Sequence, residues 1–230
     1  MSTPDRSPVD QSVLVDRLRQ LDTCAISDAL DTLGIVGVPL GPRPVWPVRR
    51  VVAGLVRTVQ AGPRRSDGPA DHIAAAAVDR SGPLHVLVIA NEGRTDVSCW
   101  GGILSRAAVN RSIAGVVIDG ACRDAGESDA LDFPVFARAV VPVSARGRVV
   151  QLSMDEPVAF GDLWVAPGDY VIADVNGVAF VPAGYADLVI DLAERIVARE
   201  ADMAAAVDEG RPVSVVMHDS QFPTVESDRS

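Results

Sequence analysis

Three charged side chains follow an apolar stretch of the sequence at a spacing that suits chemistry. In "IAGVVIDGACRDAGE", Arg123 and Asp124 are adjacent and Glu127 comes three residues later. An arginine offers a planar fork of N–H donors for a carboxylate or an enolate oxygen. The two acids offer the hard oxygens that Mg²⁺ or Mn²⁺ prefers. The pattern therefore indicates a site that holds a small acid beside a divalent cation.

A pair of glycines earlier in the chain adds a place for a negative charge. Gly101 and Gly102 open a helix predicted over residues 98–112. Free N–H groups at a helix start, with no side chain in the way, favour a bound anion. Together with Arg123 and Asp124, these groups would hold a 2-oxo acid, with its carboxylate on the amides and its carbonyl on the cation.

The same residues also have a purely structural interpretation. Asp124-x-x-Glu127 is a capping-box pattern, with Asp in place of the usual Ser or Thr. Arg123 fits a surface ion pair, and glycine at a helix entry is common. A capping residue can also present a ligand oxygen to a cation, so the residues alone leave both interpretations open.

The order of elements predicts an α/β domain that must position these residues. Helices are predicted over residues 11–21, 22–34, 70–80 and 98–112, from residue 124, and over 183–208. Strands are predicted over residues 50–60, 83–90, 115–119, 135–139, 140–151, 158–160, 163–165, 170–174 and 178–181, with an irregular proline-rich loop over 39–48. The first half predicts parallel strands covered by helices, and the second half predicts antiparallel strands.

Ligands of such sheets bind beyond the carboxyl ends of the strands. Two polar segments, 91–93 and 120–124, each follow a predicted buried strand. We therefore expect these two loops to line one pocket.

Composition excludes several classes of function. The net charge of −10 and the pI of about 4.7 argue against nucleic-acid binding. No apolar run approaches the roughly 20 residues of a membrane helix, and no secretion signal is visible. The chain has no lysine, which excludes an aldolase that forms a Schiff base. An odd number of cysteines without zinc spacing predicts reduced thiols in a soluble cytoplasmic protein.

Four other reactive side chains are not assigned a role. None of His72, His85 and His218 is favoured as the catalytic base, although histidine is the usual candidate near neutral pH. Cys122 precedes Arg123, whose charge would lower the pKa of the thiol, but a cysteine fits a core position equally well.

The stretch "WGGILSRAAVNRSIAGVVIDGACRDAGE" resembles the core of the RraA-like family, which includes class II pyruvate aldolases. Catalytic members share a glycine, twenty residues, Arg-Asp, two residues and then Glu or Asp. Gly102, Arg123, Asp124 and Glu127 match every fixed position of this pattern. "GDYVIADVNGVAFVPAGYA" resembles a later strand pair of the family.

The resemblance implies an α/β/β/α fold of the swivelling β/β/α kind. Together with the predicted elements it gives one domain over residues 11–218, with N-terminal helices and a long C-terminal helix. The polar composition of residues 1–10 and 219–230 predicts mobile tails on either side. Members form homotrimers or hexamers, with the active site in a cleft between subunits.

The resemblance also implies roles for individual residues. Asp124 would hold Mg²⁺ or Mn²⁺ largely through water, with Glu127 supporting the water shell. Arg123 would bind substrate and stabilise the pyruvate enolate. The backbone N–H groups of Gly102, Ile103 and Leu104 would hold the pyruvyl carboxylate. A glutamate from the next subunit would complete the metal site, with Glu200 as the candidate and Glu194 as the alternative, although both also fit solvated charges on a helix.

These features together predict metal-dependent retro-aldol cleavage of a 4-hydroxy-2-oxo acid, of the 4-hydroxy-4-methyl-2-oxoglutarate type, to pyruvate. Oxaloacetate would be decarboxylated through the same enolate. The expected partners are a small 2-oxo acid and copies of the chain, and neither a nucleic acid nor a membrane. The alternatives are a non-catalytic RraA-like regulator that binds a ribonuclease, and a lyase with the same site that acts on another small acid.

Overall fold

The computed structural model describes residues 7–64 and 72–218 of the chain. The predicted tail 219–230, residues 1–6 of the predicted tail 1–10, and the first two residues of the helix predicted over 70–80 lie outside the described residues. Every helix in the described ranges is too short or too polar to cross a lipid bilayer.

The described residues form seven α-helices, of which the first six follow the predicted order and the last, short one was not predicted. In chain order they are α1 (Pro8–Leu18), α2 (Thr23–Thr32), α3 (Ala75–Asp79), α4 (Gly102–Asn110), α5 (Ala125–Ala130), α6 (Ala186–Asp208) and α7 (Val213–Val216), with a 3₁₀ turn at Ala183–Tyr185 before α6. α1 begins inside the segment predicted as a tail, because the Ser7 hydroxyl accepts the Asp10 N–H and proline suits the first helical position. α2 has the predicted cap, in which the Asp22 carboxylate accepts the Ala25 N–H at 2.8 Å.

The strands form one large sheet and one small hairpin. In chain order they are β1 (Arg43–Pro44), β2 (Val52–Pro63), β3 (His85–Ser98), β4 (Gly115–Cys122), β5 (Val135–Ala137), β6 (Ala139–Val140), β7 (Val149–Met154), β8 (Val158–Phe160), β9 (Leu163–Val165), β10 (Tyr170–Asp174) and β11 (Gly177–Val181). The large sheet has the order β1-β5-β4-β3-β2-β10-β11, with β6 beside β4 and β7 beside β2. β2, β3, β4 and β5 are parallel neighbours, whereas β7, β10 and β11 pair antiparallel, as predicted.

The sheet curls until its two edges nearly meet. Arg43 of β1 lies against Gly177 at the start of β11, so the sheet is nearly closed. One apolar cluster fills its interior, and the β8–β9 hairpin covers part of that cluster. A second cluster lies under α1, α2 and α6, and a third lies under α3, α4 and the segment after α5. Helices therefore cover the outer surface of the curled sheet on two sides. The predicted α/β/β/α fold class is confirmed.

β3 is longer than the sequence predicted, and it includes residues 91–93, which were expected to form a loop of the site. Asn91, Glu92 and Gly93 form an irregularity inside β3 rather than a loop after it, and the strand continues to Ser98. Glu92 and Gly93 both have positive φ, and the register against β4 shifts between Ala90 and Arg94. The expectation that residues 91–93 line a pocket with residues 120–124 is wrong, because a bulge was mistaken for a strand end.

A buried ion pair holds this irregularity against the end of β4. Asp119 Oδ1 lies 2.5 Å from Arg138 Nε, and Asp119 Oδ2 accepts the N–H groups of Gly93 at 3.2 Å and Gly161 at 3.1 Å. Arg138 also donates to the Leu40 carbonyl at 3.0 Å. Side chains of neighbouring β4 residues alternate between the two sheet faces, so Asp119 lies on the interior face. One carboxylate thus joins four segments of the chain at one end of the curled sheet.

Replacement of this carboxylate should be costly for stability. Asp119→Ala leaves a guanidinium and two N–H groups without their acceptor, and breaking a buried pair from one side costs about 3 kcal/mol or more. Denaturant unfolding measures this loss. Asp96→Ala removes the acid of the exposed Arg94–Asp96 pair and should leave unfolding nearly unchanged. Equal, small effects of the two substitutions would contradict the assigned role.

Candidate active site

A cavity of about 360 Å³ opens where β3 and β4 end, on the side of the sheet covered by α3 and α4. The groups that give it its chemistry come from five separate segments: Arg64, His72, residues 101–104, the pair Arg123 and Asp124, and residues 144–147. The predicted residues Gly102, Ile103, Leu104, Arg123 and Asp124 all line this cavity.

Asp124 does not cap its own helix. It occupies the residue before α5 with a left-handed backbone (φ +57°), and its side chain accepts no N–H from that helix. The carboxylate instead accepts the Gly102 N–H at 3.0 Å, and the same Oδ2 lies 3.2 Å from Arg123 Nε. The capping-box interpretation of Asp124 and Glu127 is therefore wrong, since the left-handed backbone turns the side chain toward α4.

The two glycines are required by the close approach of these acids. A Cβ on Gly101 would lie 2.8 Å from Asp124 Oδ2, and a Cβ on Gly102 would overlap the Glu127 carboxylate. The backbone of both residues is extended or helical, so the glycines are needed for space and not for an unusual φ. The spacing of Gly102 and Glu127 in the sequence thus reflects direct contact between them.

A buried polar chain fixes α4 relative to α5. The Trp100 indole N–H donates to Ser105 Oγ at 2.8 Å, and the hydroxyls of Ser105 and Ser128 lie 2.9 Å apart. The Trp100 ring stacks on Phe133 with centroids 5.9 Å apart, and the Trp100 carbonyl accepts the Arg123 N–H at 2.9 Å. These contacts hold Arg123 and Asp124 in place beside the first turn of α4.

Two backbone donors at this turn remain for an anion. N–H groups in the first turn of a helix have no acceptor within the helix. The Gly102 N–H donates to Asp124, which leaves those of Ile103 and Leu104 at the cavity. Of the three amides expected to hold the pyruvyl carboxylate, only these two are not occupied within the described residues.

The oxygens near Asp124 suit a divalent cation that keeps most of its water. Asp124 Oδ2 is engaged, and Oδ1 accepts no hydrogen bond from the described residues. Glu127 approaches Gly102, and its Oε1 lies 3.2 Å from Arg106 Nη2. The described residues contain no group of three or more His, Cys, Asp or Glu side chains around one point. Such a donor set fits Mg²⁺ or Mn²⁺ bound through one or two carboxylates and otherwise by water.

The two C-terminal glutamates lie elsewhere in the chain. Glu194 forms an ion pair with Arg17 of α1, with Oε2 at 2.7 Å from Nη2. Glu200 is exposed on α6 and close to α2, where burial and then nearby acids that include Glu200 raise the pKa of the Cys24 thiol. Neither glutamate lines the cavity of its own chain, and a contribution from a neighbouring subunit stays a prediction.

Several residues of the cavity were not found from the sequence. Arg64, His72 and Arg146 line it, and they come from segments that carry no recognisable motif. Cys122 is buried, and burial raises the pKa of its thiol to about 12, so the expected lowering by Arg123 is wrong. Its neighbour Cys99 lines the cavity, and burial raises the pKa of that thiol to about 12 as well.

The sequence profile of the RraA-like family, described as Aldolase/RraA, matches residues 23–180. The chain belongs to this family. The Aldolase/RraA match extends from α2 into β11 and includes Gly102, Arg123, Asp124 and Glu127. The family resemblance drawn from those four positions is therefore confirmed.

Two proteins with about 30% sequence identity to this chain match it over different shares of their own length. A Halalkalibacterium halodurans protein named as a candidate 4-hydroxy-4-methyl-2-oxoglutarate aldolase is 31% identical over 182 residues, which are 79% of this chain and 82% of that protein. Protein DlpA of Legionella pneumophila is 33% identical over 183 residues, which are 78% of this chain but 30% of that protein.

Solved structures agree with the fold. An uncharacterized protein from Pseudomonas syringae superposes with a TM-score of 0.81 and 28% identity, over 90% of this chain and 98% of that one. Streptomyces coelicolor RraAS2, described as an unusual member of the RNase ES inhibitor RraA protein family, gives a TM-score of 0.75 and 28% identity, over 87% of this chain and 97% of that one.

A methyl group at Gly102 should displace the Glu127 carboxylate while the fold survives. In Gly102→Ala the overlap falls on the far end of a flexible, partly exposed side chain, which can rotate away. We expect the free energy of unfolding to change by no more than about 1 kcal/mol. A crystal structure of the variant should show Glu127 moved. Gly126→Ala adds a methyl to α5 in open space and should leave Glu127 in place; an unmoved Glu127 in Gly102→Ala would contradict the contact.

Proposed function

We propose that this protein is a lyase that cleaves a 4-hydroxy-2-oxo acid, of the 4-hydroxy-4-methyl-2-oxoglutarate type, to pyruvate with Mg²⁺ or Mn²⁺. It also decarboxylates oxaloacetate, because both reactions pass through the pyruvate enolate. The observation that carries the proposal is the convergence of Arg123, Asp124 and the first turn of α4 on one cavity. The name of the Halalkalibacterium relative supports the same substrate type.

The pyruvyl end of the substrate binds at α4. The amides of Ile103 and Leu104 hold its carboxylate, helped by the partial positive charge of a helix N-terminus. Arg123 stabilises the negative charge that develops on the 2-oxo oxygen when the C3–C4 bond breaks. Asp124 orients Arg123, since its Oδ2 lies 3.2 Å from the guanidinium Nε.

Asp124 and Glu127 are the residues that would hold the cation. When bound, a divalent cation supplies a Lewis acid that polarises the 2-oxo group. The chain has no lysine, so a Schiff base cannot take over this role. The Gly102 N–H keeps the Asp124 carboxylate facing the cavity, where its second oxygen is available.

The far end of the substrate meets positive charge. Arg64 and Arg146 line the cavity together with Arg123, in a protein whose net charge is −10. Such a concentration of arginines in an acidic chain favours a substrate with a second carboxylate. A 2-oxo acid of the 2-oxoglutarate type carries that second carboxylate.

The trimer or hexamer expected from the family resemblance stays part of the proposal. Glu200 or Glu194 would reach the site only from a neighbouring subunit, because neither lines the cavity of its own chain.

A non-catalytic regulator of a ribonuclease is the second candidate. The likeness to Streptomyces coelicolor RraAS2 supports it. A regulator needs only its outer surface, whereas a lyase needs the cavity groups, so substitutions inside the cavity separate the two functions.

Removal of divalent cations should abolish pyruvate release. We expect a chelator to stop decarboxylation of oxaloacetate and cleavage of 4-hydroxy-4-methyl-2-oxoglutarate, and added Mg²⁺ or Mn²⁺ to restore both, because Asp124 and Glu127 leave most of the cation open to substrate. A coupled pyruvate assay measures the rates, and a melting curve with chelator shows that the fold is intact. Full activity in protein shown to be metal-free by elemental analysis would contradict the proposed requirement for a divalent cation.

Asp124→Asn should separate catalysis from folding. Asparagine keeps an acceptor for the Gly102 N–H and tolerates the left-handed backbone at this position, so unfolding should change by less than about 1 kcal/mol. Loss of the charge should lower kcat/KM at least ~100-fold, or about 2.7 kcal/mol of transition-state stabilisation. Asp129→Asn, on the same helix but outside the cavity, is the matched control. Near-normal turnover of the Asp124 variant would mean that the carboxylate only positions α4.

A further inference from the structure

His72 lines the cavity and presents a defined ring nitrogen. Its Nδ1 lies 3.0 Å from the Ile73 carbonyl oxygen. A carbonyl oxygen can only accept, so Nδ1 carries the hydrogen, and in the neutral ring Nε2 holds the free electron pair. The side chain is exposed rather than packed in the core, so this nitrogen is accessible to a ligand or to water.

The other titratable and charged groups that share the cavity with His72 are Arg64, Cys99, Arg123, Asp124 and Arg146. A guanidinium group has five N–H donors and no acceptor atom, so the three arginines are not candidates for taking up a proton. Burial raises the pKa of Cys99 to about 12, so it remains a thiol. Oδ2 of Asp124 is engaged by the Gly102 N–H and Arg123, and its Oδ1 is the oxygen that the proposed function assigns to the cation.

The hydroxyls of the cavity are also engaged. Ser98 Oγ donates to the Val143 carbonyl at 2.7 Å, and Ser144 Oγ accepts the Arg146 N–H at 3.0 Å. Among the described residues that line the cavity, His72 is thus the group with an unengaged nitrogen that can accept a proton and give it back.

We propose that His72 is the catalytic residue that moves the proton in the retro-aldol reaction, an inference that rests on the proposed function. His72 Nε2 accepts the proton of the C4 hydroxyl. The O–H electron pair forms the new C4 carbonyl, the C3–C4 bond breaks, and its electrons become the pyruvate enolate. Nε2 then returns the proton to C3, which becomes the methyl group of pyruvate, so the proton has moved from oxygen to carbon.

Oxaloacetate offers an internal comparison. Its C3–C4 bond breaks with loss of CO₂, and no hydroxyl proton has to be removed first. A base is therefore needed for bond cleavage in the aldol substrate and not in oxaloacetate. A residue that merely shapes the cavity would affect both reactions alike.

His72→Asn tests the assignment, because the asparagine amide can still donate to the Ile73 carbonyl while the Nε2 base is lost. We expect cleavage of 4-hydroxy-4-methyl-2-oxoglutarate to slow by ~100-fold or more and decarboxylation of oxaloacetate by less than ~10-fold. His218→Asn, an exposed histidine outside the cavity, should leave both rates unchanged.

Two further measurements make the outcome decisive. His72→Gln replaces the first variant if that one fails to give a normal melting curve. Exchange of the methyl protons of pyruvate in D₂O, followed by NMR, needs removal of a C3 proton and should be lost together with cleavage in either variant. Equal loss of cleavage and decarboxylation, or retained exchange, would overturn the role of His72. An inactive wild-type protein on the whole substrate panel would overturn the lyase proposal itself, a result distinct from an active wild type with an unaffected variant.

Discussion

At 3.0 Å, the hydrogen bond from the Gly102 N–H to Asp124 joins the first turns of α4 and α5. It uses a donor that a helix start leaves without a partner, and an acid that has turned away from its own helix. The bond is possible because neither Gly101 nor Gly102 carries a side chain at the point of contact. With the buried polar chain between the two helices, this contact positions Arg123 at the wall of the cavity.

Much of the site could be predicted from the sequence, because residues at the fixed spacings of the motif are in contact in the structure. Gly102 and Glu127 touch, and Asp124 binds Gly102, so a motif of fixed gaps records a real cluster. The same residues suggested a helix cap that the structure does not have, since Asp124-x-x-Glu127 has the spacing of a capping box. Whether such an acid caps its helix depends on its φ, and a value of +57° is not visible in residue types.

The rest of the cavity could not be predicted, for reasons of distance along the chain. His72 and Arg146 reach the cavity from segments before α3 and before β7, far from Arg123 along the chain, and only the tertiary structure shows that the three line one cavity. The end of β3 was also misplaced, because Asn91 to Gly93 have the composition of a loop. A bulge with two positive φ values lets the strand continue, and sequence patterns do not distinguish such a bulge from a turn.

The interior of the curled sheet is a closed apolar core, and the Asp119–Arg138 pair blocks one of its ends. The cavity beside Arg123 and Asp124 lies outside that core, under the helices of one face, and its walls are supplied mainly by loops and helix starts. None of the described residues that line the cavity belongs to the apolar cluster inside the sheet. The architecture therefore separates the cavity lining from the packing inside the sheet, which gives evolution and protein engineering a scaffold on which new ligands can be tried one loop at a time.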